Sequence, residues 1–312
     1  MRLCFSFLFL TATIFPWGMR GHRIVARIAE NHLTDTAREK IQTLLKGEPL
    51  TRVANIPDHV RSNNKWQCAA PLHYVSVDEK KEYVASKRND NGDSVQALVY
   101  FEDVLRSRGR SPLEKRNAVI WMTHLVGDMH QPLHVGRACD RGGNTVVVTW
   151  FGKRSNLHKV WDSEFVNHEE LSFSEYASEI DNSKEEERSQ WAKATYFDWM
   201  DDARTGQAQI YTCYAKDGCC SEKKNGKCVL IETLFNSCGK DTAPVVLQYA
   251  YVAKNRALLN AQLLKGGVRL AALFNRIFDD TPLSPDELAL RETIKNTSTT
   301  KKIDACVIHA LH

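Results

Sequence analysis

The chain has 312 residues, 43% of them hydrophobic, and 42 basic against 38 acidic residues give a net charge of +4 at pH 7. That length and apolar content support a real core and exclude a largely disordered chain. The charge balance is too mild to mark a nucleic-acid binder by itself, because non-specific binders carry concentrated basic surface.

Residues 1–16 combine a basic start at Arg2 with an apolar run from Leu3 to Phe15, which predicts a secretory signal. Pro16 then occupies the last signal position, where a small residue is the rule. No later segment reaches the length of about 18 uninterrupted apolar residues that a membrane span needs. A secreted protein with one domain over 17–312 and no membrane attachment is therefore expected, as a monomer. Cys4 leaves with the signal, and eight cysteines remain: Cys68, Cys139, Cys213, Cys219, Cys220, Cys228, Cys238 and Cys306. An even count in an exported chain predicts disulfides without fixing their pairing, although the Cys213–Cys238 cluster is also compatible with a structural zinc. Asn296-Thr-Ser is a glycosylation sequon in a polar stretch.

Helical periodicity dominates the chain beyond residue 17. Ile24, Val25, Ile28, Ala29, Leu33, Ile41, Leu44 and Leu45 recur at helical spacing, with a break at Thr34-Asp35. A second amphipathic helix is predicted over Asp93–Leu105. Ser111-Pro112-Leu113-Glu114 reads as an N-cap, a first-turn proline and a capping box, starting a helix that runs to about Met129 before Pro132. Gly142-Gly143-Asn144 is a turn, and Thr145–Trp150 is a strand expected to pair across a short hairpin. Helices return around Leu157–Phe165, from Glu186 to about Thr212, and over Pro244–Phe278, where Gly266-Gly267 is expected to interrupt. Asp217–Gly226 reads as a polar loop. The fold class is mainly α-helical with a small β-hairpin.

The chemistry concentrates in His124-Leu-Val-Gly-Asp128-Met-His130-Gln-Pro-Leu-His134 and in His158-Lys-Val-Trp-Asp162. Each holds a His and an Asp at i, i+4, so both side chains leave one helix face and can share a metal. One such pair is usually a surface ion pair; two pairs in apolar sequence, with His134 close by, point to a metal centre. His22, Asp58 and His73 are further candidates that carry little weight singly.

Together with Trp17-Gly-Met-Arg-Gly-His22, Pro71-Leu-His73-Tyr and Gly142-Gly-Asn144, these motifs resemble the zinc-dependent single-strand nuclease family of fungi and plants. The protozoan 3′-nucleotidase/nucleases are related, and bacterial zinc phospholipases C share the metal framework more distantly. The resemblance implies a helical fold of that type and three zinc ions. Asp58, His73, His124 and Asp128 would hold one. The amine and carbonyl of Trp17, with His22 and Asp128, would hold a second. His134, His158 and Asp162 would hold the third, and His130 would buttress the centre without ligating. It further implies Asp58 and Asp128 as catalytic carboxylates, Arg61 and Asn144 as clamps on phosphate oxygens, and Tyr74 as a platform for an unpaired base. The implied reaction is in-line hydrolysis of single-stranded DNA, RNA and 3′-nucleotides to 5′-phosphorylated products. Asp58 departs from the family pattern, since Ile56-Pro57 precedes it where relatives carry Trp-Ala. A zinc phospholipase C and a non-catalytic secreted zinc protein are the competing readings.

Overall fold

The structure is a computed structural model that describes residues 17–61, 63–77, 83, 88–211, 221–224, 227–229 and 245–309. The expected signal and the side chains of the Cys213–Cys238 cluster lie outside the described residues.

Ile24, Val25, Ile28 and Ala29 fall on one face of α1 (Met19–His32) and are fully buried. Thr34 ends that helix and caps α2 (Asp35–Leu45) by accepting from the Ala37 amide at 3.2 Å, so the break falls where the sequence put it. Two short helices follow, α3 (Leu50–Val53) and α4 (Ile56–Val60), then a 3-10 segment over Asn64–His73. Asp93 caps α5 (Ser94–Arg106), and the Ser111–Glu114 capping box starts α6 (Pro112–Met129). Every residue of α6 from Asn117 to Met129 is buried, which makes it a central helix surrounded by its neighbours.

β1 (Val147–Trp150) pairs antiparallel with β2 (Lys153–Asn156), as the hairpin signal predicted. A helical stretch then runs as α7 (Leu157–Lys159), one π turn over Val160–Glu164, and α8 (Phe165–His168). The remaining helices are α9 (Phe173–Ile180), α10 (Glu185–Ala192), α11 (Tyr196–Tyr211), α12 (Tyr249–Phe278), α13 (Pro285–Ile294) and α14 (Thr297–His309). The described helices pack about one hydrophobic core.

Four expectations need correction. The helix expected from Glu186 to Thr212 is two helices, because the Thr195 hydroxyl and amide bond to Asp198 and begin α11 afresh. Ser221–Lys224 and Lys227–Val229 pair as a second hairpin, β3 and β4, within and beyond the expected loop. Val245–Leu247 is not helical: it forms β5, parallel to β1, giving the sheet order β2-β1-β5. Finally, α12 is unbroken at Gly266-Gly267. A Cβ at Gly267 would lie 2.4 Å from Ile28 Cβ, and one at Gly266 would lie 3.3 Å from His130 Cγ. These glycines let α1 and the end of α6 approach α12 closely; they do not interrupt it.

A disulfide joins Cys68 in the 3-10 segment to Cys306 in α14, and Cys139 is also disulfide-bonded. The sequon residue Asn296 is exposed and caps α14, its Oδ1 accepting from the Ser298 amide at 3.0 Å. Among the described residues, no helix is long and apolar enough to cross a membrane.

Candidate metal centre

Six segments bring the candidate side chains to one place. Helix α1, just after Trp17, supplies His22, α4 supplies Asp58, and the 3-10 segment ends on His73. The last two turns of α6 supply His124 and Asp128, and the 3-10 turn enforced by Pro132 supplies His134. The α7–π stretch carries His158 and Asp162. Their ligand atoms form three groups, each within 4.8 Å: His22, His124 and Asp128; Asp58, His73 and His124; and His134, His158 and Asp162. His124 thus faces two of the groups. The resemblance had associated it with only one.

The ring orientations are set by backbone carbonyls. His124 Nδ1–H donates to the Ala54 carbonyl at 2.7 Å, His158 Nδ1–H to Gly142 at 2.7 Å, and His134 Nδ1–H to His73 at 2.9 Å. Each bond fixes the tautomer and leaves the Nε2 lone pair aimed into the centre. There, His124 Nε2 is 3.3 Å from Asp128 Oδ2, His158 Nε2 is 3.1 Å from Asp162 Oδ2, and His134 Nε2 is 3.4 Å from Asp162 Oδ1. His73 Nδ1 lies 3.1 Å from Asp128 Oδ2, and the His22 ring stacks on His124 with centroids 3.8 Å apart. A Cβ on Gly127 would sit 2.7 Å from His22 Nδ1, so only glycine admits that ring. Trp17 is fully buried, and the next amide, Gly18, donates to the Asp162 carbonyl at 2.5 Å, which holds the backbone of residue 17 beside the cluster.

The electrostatics of the bare side chains are strained. Burial, opposed by His124 and Arg61 and reinforced by Asp128, pushes the Asp58 carboxyl up to about 7. Burial also raises Asp128, with the Asp162 charge adding to it, and lowers His22 and His73, with neighbouring imidazoles adding to it. At the third group, burial is outweighed by mutual attraction: Asp162 is held below and His158 above the ordinary value. The buried atoms His22 Nε2, Asp58 Oδ1, His73 Nε2, Asp128 Oδ1, His134 Nε2, His158 Nε2 and Asp162 Oδ2 have no hydrogen-bond partner. Each such atom costs about 1–3 kcal/mol if left unmet. Imidazole nitrogens and carboxylate oxygens converging in this way are the donor set that divalent zinc accepts, so the residues present fit the metal the resemblance implies.

A cavity of about 220 Å³ opens beside the centre, lined by His73, His134 and His158 together with Arg61, Tyr74 and Asn144. Arg61 Nη1 is 3.7 Å from Asp58 Oδ1, and the half-buried Tyr74 is a wall of the cavity. Asn144 Nδ2 donates to the Arg141 carbonyl at 2.8 Å, closing the turn that carries it.

His130 does not touch the candidate ligands through hydrogen bonds. Its Nδ1–H donates to the Val126 carbonyl at 2.7 Å, and its Nε2 accepts from Arg269 at 3.0 Å. It clamps the end of α6 to α12. Its neighbour Gln131 is the residue that supports a ligand, donating from Nε2 to Asp162 Oδ1 at 2.5 Å. Gln131 was overlooked in the sequence, although it lies inside the His130–His134 motif. Arg137 and Arg141, which line the cavity on either side of Cys139-Asp140, were overlooked as well.

The fold and this centre together define a helical protein built around a buried histidine–aspartate cluster with room for metal. The family model described as S1/P1 Nuclease matches residues 17–279, most of the chain, and the chain belongs to that family. It is 27% identical to Endonuclease 2 of Arabidopsis thaliana over 288 residues, covering 87% of this chain and 93% of that one. Nuclease S1 of Aspergillus oryzae is 27% identical over 162 residues, covering 49% of this chain and 56% of its own. Nuclease P1 of Penicillium citrinum is 28% identical over 155 residues, covering 47% and 57% respectively.

Proposed function

We propose that the chain is a secreted, trinuclear-zinc phosphodiesterase that cuts single-stranded DNA and RNA and dephosphorylates 3′-nucleotides, leaving 5′-phosphorylated products from strands. The observation that carries this reading is the convergence of eight His and Asp side chains, seven buried and Asp58 partly buried, in three groups, beside an open cavity. Membership of a nuclease family gives the class of bond, and names such as Nuclease S1 and Endonuclease 2 among the relatives support it.

Asp58, His73 and His124 would hold one zinc with Asp128; the free amine of Trp17 and His22 would hold another with Asp128; His134, His158 and Asp162 would hold the third. Zinc bound there supplies Lewis acidity, drawing the pKa of water from about 15.7 toward about 7 and offsetting phosphate charge. Asp58, beside Arg61 at the edge of the centre, would orient the attacking water. Arg61 and Asn144 hold phosphate oxygens, and the Tyr74 ring stacks a base, which requires that base to be unpaired. Sequence-independent stacking accounts for single-strand preference without base readout. The same cavity wall of Arg61, Tyr74 and Asn144 supports a nucleotide over a phospholipid headgroup. The signal-like segment, the disulfides and the exposed sequon support secretion.

The test is metal analysis of the secreted protein with hydrolysis assays on single-stranded DNA, RNA, 3′-AMP and phosphatidylcholine, for wild type and Asp128→Asn. Three zincs and nucleic-acid cleavage are expected in the wild type. The variant is expected to lose both zinc and at least about a hundredfold in rate, since even outer partners of a metal cost 10–100-fold. Near-normal turnover with full zinc in Asp128→Asn would overturn the assignment, and cleavage of phosphatidylcholine alone would overturn the substrate.

A further inference from the structure

A second depression, of about 690 Å³, reaches the metal centre and shares no lining residue with the 220 Å³ cavity. Asp58 and Asp162 belong to it, so the two spaces meet at the candidate ligands. Its walls carry Arg20, Arg23 and Lys159 together with the half-buried ring of Phe173. Arg20 and Arg23 stand one turn apart on α1, on the same side. Among the described residues neither has a carboxylate within ion-pair distance, and Arg20 Nη1 and Arg23 Nε are buried without a hydrogen-bond partner. The Arg23 guanidinium lies over the Phe173 ring at 5.6 Å. Lys159 is 57% exposed and 3.2 Å from Glu164.

A strand cut internally continues on both sides of the scissile bond, and the cavity at Tyr74 and Asn144 and the depression at Arg20 and Arg23 reach the candidate ligands through different residues. We infer that the groove of Arg20, Arg23, Lys159 and Phe173 is the track for the single strand beyond the scissile phosphate. This rests on the phosphodiesterase reading and extends it from mononucleotide to strand. Cationic groups and an aromatic face are the two components of sequence-independent single-strand binding: the guanidiniums of Arg20 and Arg23, which have no carboxylate partner among the described residues, and the Lys159 ammonium, which shares its charge with Glu164, follow phosphates, and a ring takes a base. Arg23 serves both, since a cation over an aromatic ring strengthens the platform. The acidic groups in the groove, Asp58 and Asp162, sit at its inner end among the candidate ligands. The charge a strand meets along the rest of the groove is positive, although the chain as a whole is nearly neutral.

The experiment uses the holoenzyme and the triple variant Arg20→Gln/Arg23→Gln/Lys159→Gln. Binding of a fluorescent oligothymidylate with phosphorothioate linkages is followed by anisotropy across a salt series. Hydrolysis of a long oligothymidylate is compared with hydrolysis of a thymidine dinucleotide. Affinity is expected to fall at least about tenfold, and the slope of log K against log salt to become shallower by about two, since each single-strand phosphate contact contributes about 0.7. The kcat/KM on the long strand is expected to fall at least about tenfold more than on the dinucleotide. Lys159→Gln alone, at an exposed position that the core does not use, is expected to make the slope shallower by about 0.7 at most, a third of that change. Unchanged affinity and slope in the triple variant, or equal losses on the two substrates, would overturn the track. A wild type that binds the strand but cleaves neither substrate would sink the nuclease reading, while the salt slope would still decide the groove.

Discussion

Tyr74 stands between a buried histidine and a buried valine, yet its own ring is only half-buried and lines the cavity. Its backbone is engaged, the carbonyl accepting from the Ser94 amide at 3.2 Å, so the position is held whatever the side chain does. Stacking contributes about 1–3 kcal/mol per base and is similar in ground and transition states. Tyr74→Ala is therefore expected to raise KM on single-stranded DNA about tenfold or more with a smaller change in kcat, and to keep its zinc. Steady-state kinetics alongside metal analysis check this; an unmoved KM would return Tyr74 to packing. At this scale the sequence was most informative where chemistry repeats locally. His124/Asp128 and His158/Asp162 announce themselves because helical spacing puts both members on one face. The partners that orient the rings could not be read, since they are the carbonyls of Ala54, His73 and Gly142, and any residue type supplies a carbonyl. The His130 ring is similar: motif membership says nothing about which way a ring turns, and this one turns to Arg269.

Elements were legible where a side chain caps the backbone and misread where packing decides. Thr34 and Ser111 start helices through bonds that the local sequence specifies. Gly266-Gly267 was misread because glycine lowers helix propensity, whereas here it answers a contact from elsewhere: α1 lies so near that Ile28 and the Val25 carbonyl leave no room for a Cβ at Gly267. The short strand β5 was absorbed into the apolar run beyond it, since three residues of Val-Val-Leu are ambiguous without knowing that β1 lies alongside. The close approach has a measurable price in the variant Gly267→Ala. Propensity alone would make alanine the better helix former, by about 1 kcal/mol. The clash is expected to win, lowering stability by about 1–3 kcal/mol as overpacking does. A thermal melt showing a raised Tm would mean that α1 and α12 part without cost.

Across the whole molecule, Glu102 ties four helices together. From α5 it accepts from Tyr196 of α11 at 2.7 Å and from Arg291 of α13 at 2.6 Å, and it lies 3.6 Å from Arg276 of α12. Burial pushes its carboxyl up, but Arg291 and Arg276 outweigh burial and hold it below its ordinary value of 4.5. A depressed folded-state value means that the stabilisation is fully present above pH 4.5 and is lost as pH falls below that through the folded value. Glu102→Gln should cost about 1–3 kcal/mol near neutrality, because the buried Arg291 loses a charged partner and keeps Asp103, while Arg276 keeps Glu287. In melts taken against pH, the gap between wild type and variant should narrow below pH 4.5; a constant gap would show that the carboxylate charge is not what holds the helices. The Cys68–Cys306 bridge acts over a similar span, its ends separated by 238 positions in sequence. It has a consequence in time. At a synthesis rate of about 5–20 residues per second, Cys68 is made about 12–48 s before its partner exists. Through that interval its thiol coexists with the cysteines that are made sooner, from Cys139 to Cys238. The segment ending on His73 is therefore fastened to α14 only after residue 306 is made, so a chain stopped short of Cys306 carries every candidate metal ligand but not that fastening.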